Sequence, residues 1–157
     1  MHHKSIRIIN QTKMLYECSI RYDKMLENGA VKRVTEPYLV DAVSFTEAEA
    51  RIIAEQTPYI SGQFDVVAIK RTNYSEVVNA DADADHWFKA KLVYITIDER
   101  TAREKRTPVS YIVNADTIDH ARRAVDDFMH GSMADYEIVT LDETKILDVY
   151  RYRPADD

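Results

Sequence analysis

The sequence predicts an α+β fold made by internal duplication of a β-β-α-β-β unit, with antiparallel sheets and one amphipathic helix per unit. Three observations predict it. The first is an echo: Tyr16, Cys18, Ile20 and Tyr22 stand opposite Phe88, Ala90, Leu92 and Tyr94, 72 residues on. Tyr38, Val40, Ala42 and Ser44 then match Tyr111, Val113, Ala115 and Thr117 at 73, and Phe64, Val66 and Ile69 return to 72 against Tyr136, Ile138 and Leu141. Thr72, Glu76 and Val77 continue the match against Thr144, Asp148 and Val149. The second is a hydrophobic period that changes from two to helical and back in the same order in both halves. The third is the shortness of the connections, which favours hairpins over crossovers.

Each element has its own reason. Tyr16 to Tyr22 alternates apolar and polar, and Glu27, Asn28 and Gly29 supply turn chemistry before a second run from Val31 to Val43. Ser44 stands three residues before Glu47 in the capping-box arrangement, with Phe45, Ala48 and Ile52 on one helical face. That helix ends near Thr57, because Pro58 cannot continue it. Phe64 to Ile69 and Tyr74 to Val78 read as strands three and four. The second half repeats the order: strands at Trp87 to Asp98 and Arg106 to Asn114, then a helix from Ile118 to Met129. Ile118, Ala121, Val125 and Phe128 form its apolar stripe, and strands at Tyr136 to Leu141 and Lys145 to Tyr152 follow.

The organisation that follows is an N-terminal extension over 1–13, repeat unit 1 over 14–78, an acidic linker over 79–86, repeat unit 2 over 87–153 and a tail over 154–157. Met14 is a candidate natural start, and Ile6, Ile8 and Ile9 leave room for an added edge strand. Apolar residues also recur at the alternate positions of several strands, at Leu39, Val43, Val67, Ile69, Val93, Ile95, Ile112, Val139 and Leu141. A sheet solvated on its second face would not need them, so part of that face is expected to be covered by the other unit or by a second chain in a homo-oligomer.

Composition narrows the class. The 157 residues are 45% hydrophobic and 31% charged with net charge −6, the profile of a folded protein rather than a disordered one. Cys18 is alone, and its place beside Ile20 in the strand alternation marks a buried thiol, which fits a reducing cytoplasm. No apolar run approaches a membrane span, and a signal-peptide core is absent from the first residues.

Candidate chemistry is sparse. Asp81, Asp83 and Asp85 alternate like the opening of a calcium loop, but His86 stands where the turning glycine belongs and Leu92 where the closing glutamate belongs. His86, His120 and His130 lack metal-ligand spacing, and three glycines in all leave none for a phosphate loop. Glu47 with Glu49, and Asp126 with Asp127, turn away from one another on their helices. The reading is therefore non-enzymatic, with no catalytic residue, no metal and no cofactor.

Binding has a clearer trace. The span from Lys89 to Arg106 sets Lys89, Lys91, Arg100, Arg103, Lys105 and Arg106 against Asp98, Glu99 and Glu104. Trp87 and Tyr94 interleave with these bases, and Tyr150 and Tyr152 alternate with Arg151 and Arg153. Rings beside cations on a sheet hold single strands, since every base offers a ring face and every nucleotide a phosphate. The expected nucleic-acid contacts are Trp87 as a stacking platform, with Lys89, Lys91, Arg103, Lys105, Arg106, Arg151 and Arg153. The doubled order also looks like a permuted relative of whirly and PUR-type single-strand binders, a likeness of topology alone. Tyr16, Tyr22, Tyr38, Tyr94 and Tyr111 sit at inward positions and belong to the core. The alternatives are an adaptor or inhibitor docking on a host protein, and a sponge for small nucleotides. An open basic stripe favours polymer, a pocket favours small ligand and a flat apolar patch favours protein.

The stretch from Thr35 to Ile52 resembles the characteristic segment of a domain-of-unknown-function family of small proteins from Bacteroidales genomes, mobile elements and phages. The resemblance runs from about Met14 to Tyr152, supported by Tyr59-Ile60-Ser61-Gly62, Asp98-Glu99, Glu104-Lys105-Arg106 and Asp148-Val149. It implies an intracellular phage or mobile-element setting, and it implies no mechanism and no catalytic residue.

Overall fold

The computed structural model describes residues 14–151. Its elements are β1 (Met14–Met25), β2 (Val31–Ala42), α1 (Phe45–Gln56), β3 (Phe64–Arg71), β4 (Tyr74–Val78), β5 (His86–Ile97), β6 (Glu104–Ala115), α2 (Ile118–His130), β7 (Asp135–Glu143) and β8 (Val149–Tyr150). The fold is α+β, with two four-stranded sheets ordered β3-β1-β2-β8 and β4-β6-β5-β7. Expectations for the 1–13 extension, for Tyr152 and Arg153, and for the 154–157 tail lie outside the described residues. The described residues divide into two compact units, 14–72 with 148–151 and 73–147.

In the first unit β1 and β2 form a hairpin in unbroken register from Met14 opposite Ala42 to Met25 opposite Val31. Its turn closes on Gly29, at a φ of 85° that a side chain would strain, and on the Asn28 carboxamide, which accepts the Ala30 N–H at 2.9 Å. Ser44 caps α1 as predicted. Its hydroxyl accepts from the Glu47 N–H at 3.1 Å while the Glu47 carboxylate accepts from the Val43 N–H at 2.8 Å. Tyr16, Cys18, Ile20, Tyr38, Val40 and Ala42 then pack on Ala48 and Ile52 of α1. Burial, and secondarily the charge of Glu17, pushes the Cys18 thiol up to about 12.

In the second unit β5 and β6 run in register from His86 opposite Ala115 to Ile97 opposite Glu104. Phe88, Ala90, Leu92, Tyr111, Val113 and Ala115 pack on Ala121, Val125 and Met129 of α2. That stripe corrects one expectation. Met129 continues the i, i+4 row inward, whereas Ile118 and Phe128 lie at its margins and stay exposed, Phe128 resting against the Tyr111 ring at 5.4 Å.

Two further expectations are corrected. The sheets are mixed, because β8 pairs parallel with β2 and β4 pairs parallel with β6. Short connections impose antiparallel pairing only on consecutive strands, and neither of these pairs is consecutive. Consequently Tyr74–Val78, grouped by the repeat with the first half, lies in the second unit, and Val149–Tyr150 lies in the first. The acidic stretch after β4 exposes Asp81, Asp83 and Asp85 and is locally ordered. Ala80–Ala82 forms a 3-10 turn, and His86 already belongs to β5. Asn114, 1% exposed, accepts the Ala84 N–H and donates to the Ala84 and His86 carbonyls, each at 2.9 Å.

The face of each sheet away from its helix is divided. Leu15 and Leu39 in the first unit, and Trp87, Ser110, Ile112 and Asn114 in the second, are buried there. Arg21, Asp23 and Lys70 in the first, and Lys91 and Arg106 in the second, are exposed.

Candidate nucleic-acid interface

Strand alternation sorts the basic residues of the second unit. Phe88, Ala90 and Leu92 of β5 face α2, so Lys89, Lys91, Val93 and Ile95 face the other way. Arg106 stands directly across from Ile95 and shares their face, whereas Lys105 pairs with Thr96 and points to the helix side. Arg103 lies outside both faces, in the turn between β5 and β6, where its carbonyl accepts the Asp98 N–H at 2.8 Å. Three of the proposed contacts thus come together: Lys89, Lys91 and Arg106. Arg151 is exposed just after β8 in the first unit, and Arg153 is beyond the described residues.

Trp87 is not a stacking platform. It is 5% exposed, sits across from the buried Asn114, and its carbonyl accepts both the N–H and the hydroxyl of Thr144. A ring held that way offers no free face to a base. The aromatic residue on the open side is instead Tyr74 of β4, half-buried, with the Lys89 ammonium 5.8 Å from its ring centroid.

Carboxylates interrupt the bases. Asp142 stands across from Lys89, Asp135 across from Ile95 and Glu104 across from Ile97. Glu137 grips Arg106 at 2.7 Å and raises the pKa of its guanidinium. Lys91 differs: its neighbours across the two adjoining strands are Ser110 and Thr140, both hydroxyl residues. With Asn73, Ser75, Pro108, Val109 and Ser110 it lines a recess of about 350 Å³. Ser75 donates its hydroxyl to the Ser110 carbonyl at 3.3 Å, which orients one wall. The recess can accept an anion, since the Lys91 ammonium, the Asn73 amide and the Ser110 hydroxyl line it and no carboxylate does.

Asn73, Tyr74 and Ser75 escape sequence reasoning, because they reach Lys91 only through the parallel placement of β4 beside β6. A larger cavity of about 490 Å³ lies in the first unit between α1 and β3, but Glu49 and Asp65 on its wall make it unsuited to phosphate. Among the described residues no cluster of His, Cys, Asp and Glu is arranged to hold a metal ion. No helix there is long and apolar enough to cross a membrane.

Residues 14–152 match the family model of a domain of unknown function, DUF4494. No curated protein and no solved structure matches.

Proposed function

The chain belongs to the DUF4494 family, whose description assigns no activity, and we propose that it binds single-stranded nucleic acid on the open sheet face of its second unit, centred on Lys91. One observation carries the reading: Lys91 is flanked in register by hydroxyl residues and opens on a carboxylate-free recess, beside a tyrosine ring and a second lysine. Ammonium and hydroxyl groups suit a phosphate, and Tyr74 puts an aromatic ring beside them. A flexible strand can thread Lys91 and Lys89 while bending clear of Asp142 and Glu137. A duplex, with two stiff rows of phosphates and a partner of net charge −6, meets those carboxylates instead.

A second reading, capture of a small nucleotide, is favoured by the recess itself, whose volume of about 350 Å³ falls in the small-ligand range of roughly 300–1,000 Å³. Titration of labelled single strands, duplexes and mononucleotides separates the two. Salt-sensitive binding of single strands supports the first, and equal affinity for a mononucleotide supports the second. Absence of both moves the function to docking on a host protein.

The setting we propose is a non-enzymatic phage or mobile-element protein of the cytoplasm that forms homo-oligomers and arose by internal duplication. Matching hydrogen bonds support the duplication: Thr72 donates to the Leu15 carbonyl, and Thr144 donates to the Trp87 carbonyl, by backbone and hydroxyl alike.

A further inference from the structure

Each sheet ends on a long strand, β3 in the first unit and β7 in the second, and each of these strands carries a bulge. Ser19 and Ile20 face Ala68 and Val66, leaving Val67 as the inserted residue; Lys91 and Leu92 face Thr140 and Ile138, leaving Val139. The bulge decides how such an edge can pair with a copy of itself. In a two-fold antiparallel pairing centred between residues, a regular strand sets side chains of opposite faces against each other. With Val67 inserted, Phe64, Val66 and Ile69 face the helix side with Arg71, and Asp65, Ala68 and Lys70 face the other way.

We propose that two copies of this chain pair through β3, antiparallel about an axis between Val67 and Ala68, joining their first-unit sheets into one of eight strands. In that register the pairs flanking the axis are complementary. Asp65 meets the partner subunit's Lys70 and Val66 meets the partner subunit's Ile69, while Phe64 stands across from the partner subunit's Arg71, whose guanidinium already lies 5.5 Å from the Phe45 ring centroid of its own chain. All the residues of β3 are exposed or half-buried in the single chain, with Val67 39% exposed. As the terminal strand of its sheet, β3 has an edge on which a further strand can pair. The cavity of about 490 Å³ runs beside it, lined by Ile53, Phe64 and Val66, and Ile53 is 42% exposed. A partner strand on β3 shields both. Lys70 lies 3.8 Å from Glu17 and remains largely exposed, so its other donors are available to a carboxylate across the edge.

The matching register on β7 is repulsive, because Glu137 would meet the partner subunit's Asp142. Charge therefore selects β3 over β7 for self-pairing. The surface lies in the first unit and does not depend on the nucleic-acid reading.

Sedimentation velocity of the full chain over a concentration series tests the proposal. The chain should dimerise, and Lys70→Asp or Asp65→Lys, each placing like charges at two symmetry-related positions, should raise the dimer Kd by about tenfold or more. Combining Asp65→Lys with Lys70→Asp should restore it. Hydrogen exchange on the unsubstituted chain adds a readout free of folding defects: Phe64–Arg71 amides should gain protection as concentration rises. A monomer at every concentration, a dimer indifferent to the folded single variants, a double variant no tighter than either single, or β3 amides insensitive to concentration would each overturn it.

Discussion

Trp87 and Leu15 hold the same station in their two sheets. Each carbonyl accepts both the backbone N–H and the hydroxyl of a threonine 57 positions later, Thr144 at 2.9 and 2.8 Å and Thr72 at 3.1 and 2.7 Å. Both side chains are buried. Trp87 is thus a packing residue, and Trp87→Ala should cost about 3–5 kcal/mol in urea unfolding, with Trp87→Leu costing less. As the only tryptophan, its emission should be blue-shifted and unquenched by bound oligonucleotide.

Asn114 is the pin of the turn that follows β4. Its carboxamide makes three hydrogen bonds to Ala84 and His86, and its own carbonyl accepts from Asn79 at 2.9 Å. Asn114→Ala strands these groups and should cost about 2–3 kcal/mol, read as a lower urea midpoint with faster amide exchange at Ala84.

Alkali should destabilise the fold. Burial, with Glu17 second, pushes Cys18 from 9.0 up to about 12. Burial, then Glu36, takes Tyr22 from 10.0 to about 12, and burial, then Asp148, takes Tyr150 to about 12. These groups ionise earlier in the unfolded chain, so their contribution is full below about pH 9 and is lost as pH rises toward 12. Urea midpoints should fall across that window. Cys18→Ala should flatten the first part of the decline, and a flat profile for the native chain would contradict the assignment.

Most of the fold was legible because its signals are local. The alternation at Tyr16–Tyr22, the Ser44 to Glu47 cap and the Pro58 stop act within a few residues of chain, and each element formed where they point. Partner choice was not legible. Nothing in Tyr74–Val78 says that it pairs parallel with β6, so the recess that joins Asn73 and Ser75 to Lys91 had no sequence trace. Trp87 shows a different limit. Proximity to lysines suggested a stacking ring, while the 72-residue offset already aligned it with the apolar Leu15. The split between Lys91 and Lys105 follows from strand parity once the register from His86 opposite Ala115 is known.

That split also separates specific contact from general charge. Lys105→Ala, on the helix-side face, should leave single-strand affinity nearly unchanged, whereas Lys89→Ala should weaken it several-fold through loss of the cation beside Tyr74. Anisotropy titrations at matched ionic strength check the pair.

The most direct test is fluorescence-anisotropy titration of a labelled single-stranded oligonucleotide with the full chain and with Lys91→Ala, at low and moderate salt. Native protein should bind, weaken with salt, and lose about 0.7 of its logarithmic salt slope in Lys91→Ala, the value of one single-strand phosphate contact. Equal affinity and equal slope in a folded Lys91→Ala variant would contradict the central claim.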